Sequence, residues 1–188
     1  MHPPIAAPSP WVTGWAHLIR PGGKVLDLAC GGGRHVRWLA DHGFAVTALD
    51  RDADALKPLR TMAEVCVADI ESGPWPLAGR RFDALVVTNY LWRPLWPQLL
   101  DSLADGGVLI YETFAVGNET VGKPSRADFL LRPGELLSLA QGLRVVAYED
   151  GFLDAPARFV QCIVAVRPGD AGAAPPRHGL RPTPGARA

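Results

Sequence analysis

The sequence predicts an α/β fold: a mostly parallel, seven-stranded sheet with helices on both faces, closed by an antiparallel C-terminal hairpin. Three observations predict it. Continuous apolar runs alternate with amphipathic segments, as in parallel sheets that are covered on both faces. The first run leads into a glycine-rich turn. The last two runs lie too close together in the sequence for a parallel crossover, which needs about a dozen residues.

Length and composition limit the class of protein. The chain has 188 residues, of which 48% are hydrophobic, and 19 basic residues balance 19 acidic ones. These values fit one globular domain, and the charge balance favours neither nucleic acid nor an anionic membrane as a partner. The three cysteines form no CxxC pair, so we expect no disulfide framework, no metal site and a cytoplasmic location. No apolar run approaches the roughly 20 residues that span a bilayer.

The composition also predicts the domain boundaries. Residues 1–8 are expected to be flexible, and residues 168–188, rich in Pro, Gly and Ala, to be a disordered tail. Residues 9–167 then form a single domain. Nothing in the sequence indicates the oligomeric state.

The elements follow in order along the chain. Five apolar, β-branched runs predict parallel strands: KVLDLA, AVTALD, VCVADI, FDALVVT and GVLIYETF. Helices are predicted at RHVRWLADHG, DADALKPLRTM and RPLWPQLLDSLADGG. Pro58 should end the second helix early, and the Pro- and Gly-rich link ESGPWPLAGRR should lack a full helix. LRVVAYED and RFVQCIVAVR then predict the antiparallel hairpin.

The turn in VLDLACGGGRH carries the clearest functional signal. Gly31 and Gly33 fill the first two places of a dinucleotide-binding GxGxxG pattern, but Val36 takes the third. Asp27 lies within the strand before the turn, and Asp50 ends the next strand. A carboxylate at that second position can accept both hydroxyls of a ribose.

In these residues the chain resembles the class I methyltransferases that use S-adenosylmethionine (SAM), which have a Rossmann-like sheet. The resemblance covers roughly residues 9–167. It implies that Asp27 pairs with the cofactor ammonium, that Asp50 holds the ribose, and that Asp69 and Ile70 contact the adenine. The implied cofactor site contains Asp27, Ala29, Cys30, Gly31, Gly33, His35, Asp50, Arg51, Asp69, Ile70, Thr88 and Asn89.

A closer resemblance is to small bacterial methyltransferases of the tellurite-resistance type. It rests on DLACGGGRH together with FAVGNETVGKPSRADFLLRPGELL. The N-P-P-Y motif that serves amino groups of nucleobases or glutamine is missing from the sequence. The resemblance therefore implies a small-molecule acceptor rather than a nucleic acid.

The acceptor should lie beyond the ends of the fourth and fifth strands. Tyr90, after the fourth strand, and Glu112, in the fifth, are the candidate catalytic residues: they can orient or deprotonate an oxygen or nitrogen acceptor. Residues 115–131 form a long loop of the kind that often covers a site. We expect this loop to be mobile without ligand.

Four cations suggest the charge of the acceptor. Convergence of Arg93, Lys123, Arg126 and Arg158 over the site would favour an anionic or readily deprotonated molecule, such as a carboxylate, a thiolate or a chalcogen oxyanion. The predicted function is methyl transfer from SAM to such an acceptor. Two alternatives stay open: a SAM-binding regulatory or degenerate module without turnover, and a nicotinamide-dependent oxidoreductase, which Asp27 and Val36 disfavour.

Overall fold

A computed structural model describes residues 7–169 and 176–180. The helices are α1 (Pro10–Trp15), α2 (Arg34–Asp41), α3 (Ala53–Leu56), α4 (Trp96–Ser102) and α5 (Glu135–Leu139). The strands are β1 (Lys24–Leu28), β2 (Ala45–Asp50), β3 (Glu64–Val67), β4 (Phe82–Thr88), β5 (Leu103–Phe114), β6 (Arg144–Asp154) and β7 (Ala157–Val166). Short 3₁₀ turns lie at Ala16–Leu18, Lys57–Leu59, Arg93–Leu95, Asn118–Thr120 and Ala127–Phe129.

The seven strands form one sheet in the order β3-β2-β1-β4-β5-β7-β6. β1 to β5 pair in parallel, whereas β7 runs antiparallel to both β5 and β6. The predicted fold class is therefore confirmed. The strand order reverses between β1 and β4, and this is where open α/β sheets bind their ligands.

Each face of the sheet buries its own apolar core because successive strand residues point to opposite sides. Val25 of β1 belongs to the core that also contains Trp11 of α1 and Leu39 of α2. Leu26 of the same strand belongs to the other core, with Leu99 of α4. The side chain of Asp27 should follow that of Val25 toward the α1 and α2 face, so its carboxyl group enters an apolar region.

The helices are shorter than their sequence patterns predicted. α3 ends at Leu56 and continues as a 3₁₀ turn around Pro58, as expected for a residue that lacks the amide hydrogen a helix needs. Residues 71–81 contain no helix, also as predicted. The sequence pattern missed α5, whose five residues are too few to display a helical period.

The C-terminal hairpin is longer than predicted. β6 and β7 are separated by Ala155 and Pro156 alone. Their outer pairs, including Phe152 opposite Phe159, lie where the sequence suggested a loop. The outer part of β6 is exposed on both sides, so it lacks the apolar alternation from which a strand is recognised.

The predicted flexible and disordered ends fall largely on residues 1–6, 170–175 and 181–188, which lie outside the described residues. Within residues 176–180, the carbonyl of Gly179 lies 2.9 Å from Nε2 of His17. No helix in the described ranges is long and apolar enough to cross a membrane. The same residues contain no cluster of three His, Cys, Asp or Glu side chains suited to a metal ion.

Candidate cofactor and acceptor site

The turn after β1 is held in a conformation that favours glycine. Ala29, Gly31 and Gly33 have φ angles of 52°, 52° and 75°, in the left-handed region where a Cβ is strained. A Cβ on Gly33 would also lie 2.5 Å from the side chain of Leu59. Gly31 faces open space instead, so a ligand can approach its backbone closely.

Asp27 lies beneath this turn as a buried carboxyl group. The residue is 1% exposed, and Oδ2 has no hydrogen-bond partner among the described residues. Burial raises the pKa of Asp27 to about 8, although Arg34 and the backbone amide of Val36 oppose the shift. An unpaired, desolvated carboxyl oxygen is costly unless a donor or cation reaches it. A primary ammonium group would supply both.

Asp50 connects the end of β2 to the same turn. Its Oδ2 accepts a hydrogen bond from the Gly31 amide at 2.8 Å, and its Oδ1 accepts one from the Asp52 amide at 2.9 Å. A carboxylate oxygen has more than one acceptor direction. Asp50 is therefore fixed in orientation and can still accept hydrogen bonds from a vicinal diol.

Asp69 is fixed in a similar way after β3. Its Oδ1 accepts hydrogen bonds from the amides of Glu71 and Ser72, at 3.0 and 3.3 Å. These bonds, chiefly that from Glu71, hold the pKa of Asp69 below its ordinary value. The other carboxylate oxygen is available for an exocyclic amine, and Ile70 lines the adjoining wall.

A cleft of about 270 Å³ lies at the carboxyl ends of these strands. Half of the predicted cofactor residues line it: Ala29, Asp50, Arg51, Asp69, Ile70 and Asn89. Asp27, Cys30, Gly31 and Gly33 belong to the strand and turn at its edge. The structure therefore brings together ten of the twelve residues that the resemblance implied.

The other two, His35 and Thr88, belong to a buried polar network beside the cleft. His35 Nε2 accepts a hydrogen bond from the Ser9 amide at 3.0 Å, and Nδ1 lies 3.5 Å from the Thr88 hydroxyl. Burial, assisted by Arg34, lowers the pKa of His35 to about 4. The imidazole is therefore neutral at pH 7, as its acceptor role at Nε2 requires.

Asn89 and Tyr90 form the far wall of the cleft. Asn89 has a φ of 56°, a conformation that Asn tolerates better than most residues. The Tyr90 carbonyl accepts a hydrogen bond from the Tyr111 hydroxyl at 2.7 Å. Burial, together with the carboxylates of Glu71 and Asp69, raises the pKa of the Tyr90 phenol. Tyr90 therefore stays protonated and is unsuited to the predicted role of base, although it can orient a ligand.

Glu112 does not have the environment expected of a catalytic base. It is 2% exposed, its Oε1 accepts a hydrogen bond from Arg158 at 2.9 Å, and its Oε2 accepts one from the Ser9 hydroxyl. Neither cavity at this end of the sheet is lined by Glu112. Both carboxylate oxygens are engaged, an arrangement that argues against the catalytic role predicted for Glu112.

The four predicted cations do not form a free positive pocket. Arg93 pairs with Glu135 at 2.6 Å, Arg126 with Asp128 at 2.8 Å, and Arg158 with Glu112. Lys123 is exposed and does not line the pocket. Sequence spacing cannot reveal these partners because each of the carboxylates at 112 and 135 meets its arginine only through the tertiary fold. The electrostatic reason for expecting an anionic acceptor is therefore removed.

A second cavity, of about 240 Å³, adjoins the first. The two share Glu71, Asn89 and Tyr90. The sequence pattern did not reveal Glu71 or the apolar members of the second cavity, which are Leu91, Phe114, Pro124 and Phe129. Only the position of Glu71, two residues after Asp69 at a strand end, could have indicated it.

Comparison with known proteins agrees with this geometry. A family described as a methyltransferase domain matches residues 25–106, which include β1 to β4 and the cofactor residues up to Asn89. Malonyl-(acyl-carrier protein) O-methyltransferase of Enterobacter lignolyticus is 37% identical over 106 residues, which are 49% of this chain and 39% of that protein. The chain spans about two fifths of the length of the curated relatives it matches.

Solved structures resemble most of the chain. TehB from Haemophilus influenzae superposes with a TM-score of 0.70 and 20% identity, over 83% of this chain and 61% of that one. A TehB-like SAM-dependent methyltransferase from Corynebacterium glutamicum gives a TM-score of 0.60 and 22% identity, over 82% and 87%. At these identities the likeness concerns the fold.

Proposed function

We propose that this chain is a SAM-dependent methyltransferase that transfers the methyl group of SAM to a small-molecule acceptor; a methyltransferase-domain family matches residues 25–106, and the fold resembles that of TehB. The observation that supports this most directly is the pair of adjoining cavities. The first has the polar groups that the cofactor requires, and the second provides a space for an acceptor beside it. The two meet at Asn89 and Tyr90.

The residues of the first cleft fit the cofactor on chemical grounds. The buried, unpaired oxygen of Asp27 suits an ammonium group. Asp50 is oriented by the Gly31 amide to receive ribose hydroxyls, and Asp69 to receive the adenine amine. When bound, SAM supplies an electrophilic methyl group on a positively charged sulfur.

The protein's own contribution to such a transfer is positioning. An in-line displacement needs the acceptor atom about 3 Å from the methyl carbon, and excluding water prevents competing reactions. Tyr90 and Asn89 are placed to orient the acceptor at the junction of the cavities. Phe114 and Phe129 make the second cavity apolar. Neither role needs a general base.

The alternatives receive less support. A nicotinamide cofactor would bring a pyrophosphate to the turn, where the buried Asp27 carboxyl would repel it once ionised. A binding module without turnover would not need the second cavity. A cytoplasmic location and a partner other than nucleic acid stay predictions of the sequence.

Replacing Asp50 tests the proposal. Asp50→Ala removes the acceptor for two hydroxyls and should weaken binding of S-adenosylhomocysteine by about 2–3 kcal/mol in calorimetry. Asp105→Ala, which removes an exposed carboxylate near the start of β5, should have no effect. Unchanged affinity in the folded Asp50 variant would show that the ribose site is misassigned. NADH binding as tight as that of S-adenosylhomocysteine would overturn the methyltransferase proposal.

A further inference from the structure

We propose that the second cavity binds an acceptor with an apolar body and that the group it methylates is an amine. This inference rests on the proposed function and names the substrate class of the same site. It concerns the wall residues Leu91, Phe114, Pro124 and Phe129, and the carboxylate of Glu71 at the rim.

The apolar body follows from the composition of the walls. Three of the lining side chains are aromatic, namely Tyr90, Phe114 and Phe129, and Leu91 and Pro124 add aliphatic surface. A ligand with an apolar body gains affinity when its apolar surface is removed from water against these walls. A small inorganic oxyanion has no such surface to bury. A ring or a branched hydrocarbon is the matching shape.

The amine follows from the charges. Among the described residues that line the cavity, Glu71 is the only charged one, and it forms no ion pair with the rest of the described chain. Arg93 and Arg158 are paired with carboxylates that are nearly buried, and the exposed Arg126 pairs with Asp128 over the ring of Phe129 without lining the cavity. An anionic acceptor would meet a like charge at Glu71, whereas an ammonium group would be attracted.

The chemistry is balanced without a further reagent. An amine enters protonated, paired with Glu71, and loses a proton to solvent or through that carboxylate. Its nitrogen lone pair then forms the new N–C bond as the C–S bond breaks, and the sulfur keeps the electron pair. The products are the methylated amine and S-adenosylhomocysteine. Tyr90, whose hydroxyl stays protonated, can donate a hydrogen bond but does not take the proton.

Three probes of matched shape test the assignment: 2-phenylethylamine, 2-phenylethanol and phenylacetate. Each is titrated calorimetrically into protein saturated with S-adenosylhomocysteine. We expect the amine to bind most tightly and phenylacetate most weakly. With SAM instead, mass spectrometry should detect N-methyl-2-phenylethylamine.

Glu71→Gln is the informative variant, with Glu149→Gln as the control because Glu149 is an exposed carboxylate on the hairpin. Glu71 is exposed, so its variant should lose at most about fivefold in amine affinity, the upper size expected for an exposed ion pair, and retain its affinity for the alcohol. The control should change neither. Each variant is first saturated with S-adenosylhomocysteine.

Two results would overturn the assignment: phenylacetate binding as tightly as the amine, or an amine affinity that is the same in the wild type and in the Glu71→Gln variant. Absence of amine binding up to its solubility limit would do the same. The preceding S-adenosylhomocysteine titration separates these failures from failure of the proposed function, since only the latter abolishes cofactor binding.

Discussion

Asp27 combines two properties that rarely coexist in a stable protein: a carboxyl group in an apolar environment and an oxygen without a partner in the described structure. The free-energy cost of burying this carboxyl group is smaller while the group is protonated, as its pKa of about 8 implies. Pairing with an ammonium requires the ionised form. Cofactor binding should therefore release a proton from this residue.

The predicted consequence is a pH-dependent affinity. Below pH 8 most of the free protein carries neutral Asp27, so S-adenosylhomocysteine must first displace a proton. Affinity should rise by up to about tenfold per pH unit from roughly pH 6 to pH 8, and then level off. Calorimetry across this range measures it.

Asp27→Asn is the comparison for that experiment. It keeps the size of the side chain and removes the titration, so its affinity should be lower at pH 8 and nearly independent of pH. A wild-type affinity that stays flat as the pH rises toward the pKa of Asp27 would contradict the role assigned to this residue.

Among the secondary-structure elements, the loop over the site is held at its base. The Val116 amide donates to the Leu131 carbonyl at 2.9 Å, and the Leu131 amide donates to the Phe114 carbonyl at 3.0 Å. The buried Asn118 side chain is bound to both Pro124 and Phe159. We therefore narrow the predicted mobility of residues 115–131 to the exposed middle of the loop, which stays a prediction.

Hydrogen exchange tests this division of the loop. The amides of Asn118 and Leu131 should be protected in the free protein because both are hydrogen-bonded within the fold. The amides of Ser125 and Arg126 should exchange quickly and slow when S-adenosylhomocysteine and an acceptor are both present. Full protection of that middle segment in the free protein would identify a static loop.

Arg93 acts on the same loop. It makes two hydrogen bonds to Glu135, at 2.6 and 2.9 Å, and donates to the carbonyls of Asp128 and Leu130. Glu135 is 7% exposed, and this pairing lowers its pKa to about 2. Arg93 therefore joins the segment after β4 to the loop and to α5.

Arg93→Gln should lower the free energy of unfolding by about 2 kcal/mol because it leaves a nearly buried carboxylate with a weaker partner. Arg132→Gln is the matched control: Arg132 is 76% exposed and lies 3.4 Å from the same carboxylate, so its loss should cost under about 0.5 kcal/mol. Urea denaturation compares the two. Equal losses would mean that Arg93 is a surface residue and not a structural anchor.

Across the complete domain, His35 joins three distant parts of the chain. Its ring contacts the Ser9 amide ahead of α1 and the Thr88 hydroxyl at the end of β4, while its backbone belongs to α2. Ser9 also binds Glu112 of β5. This network attaches the N-terminal segment to the sheet.

The network should make stability depend on pH. The pKa of His35 falls from 6.5 to about 4 on folding, so the unfolded chain binds the proton more readily. The contribution of the neutral His35 ring to the free energy of unfolding is complete above about pH 6.5. It is lost as the pH falls toward about 4, and the total loss is up to about 3 kcal/mol. Denaturant unfolding at about pH 7 and about pH 5 should show the loss in the wild type and a smaller one in His35→Asn. The exposed His17→Asn should behave as wild type, and an identical loss in all three proteins would contradict the prediction.

The fold and the cofactor end of the site could be predicted from local features of the sequence. Continuous apolar strands, the turn from Asp27 to Gly33 and an acid at the end of each of the first three strands are all visible over short stretches. The geometry of parallel strands alone brings such positions to one edge of the sheet. That these residues meet in one cleft could therefore be predicted without knowing how the side chains pack.

The acceptor end could not be predicted, because it depends on contacts that form only in the folded chain. Glu112 has the sequence position of a base at a strand end, but Arg158 and Ser9 engage its two oxygens. Arg93 has the sequence context of a free cation, but Glu135 lies beside it, 42 residues along the chain. Whether a charged side chain is free or paired in a folded protein depends on residues that are distant in sequence. The apolar cavity with Glu71 at its rim likewise exists only because the loop folds back over β4 and β5.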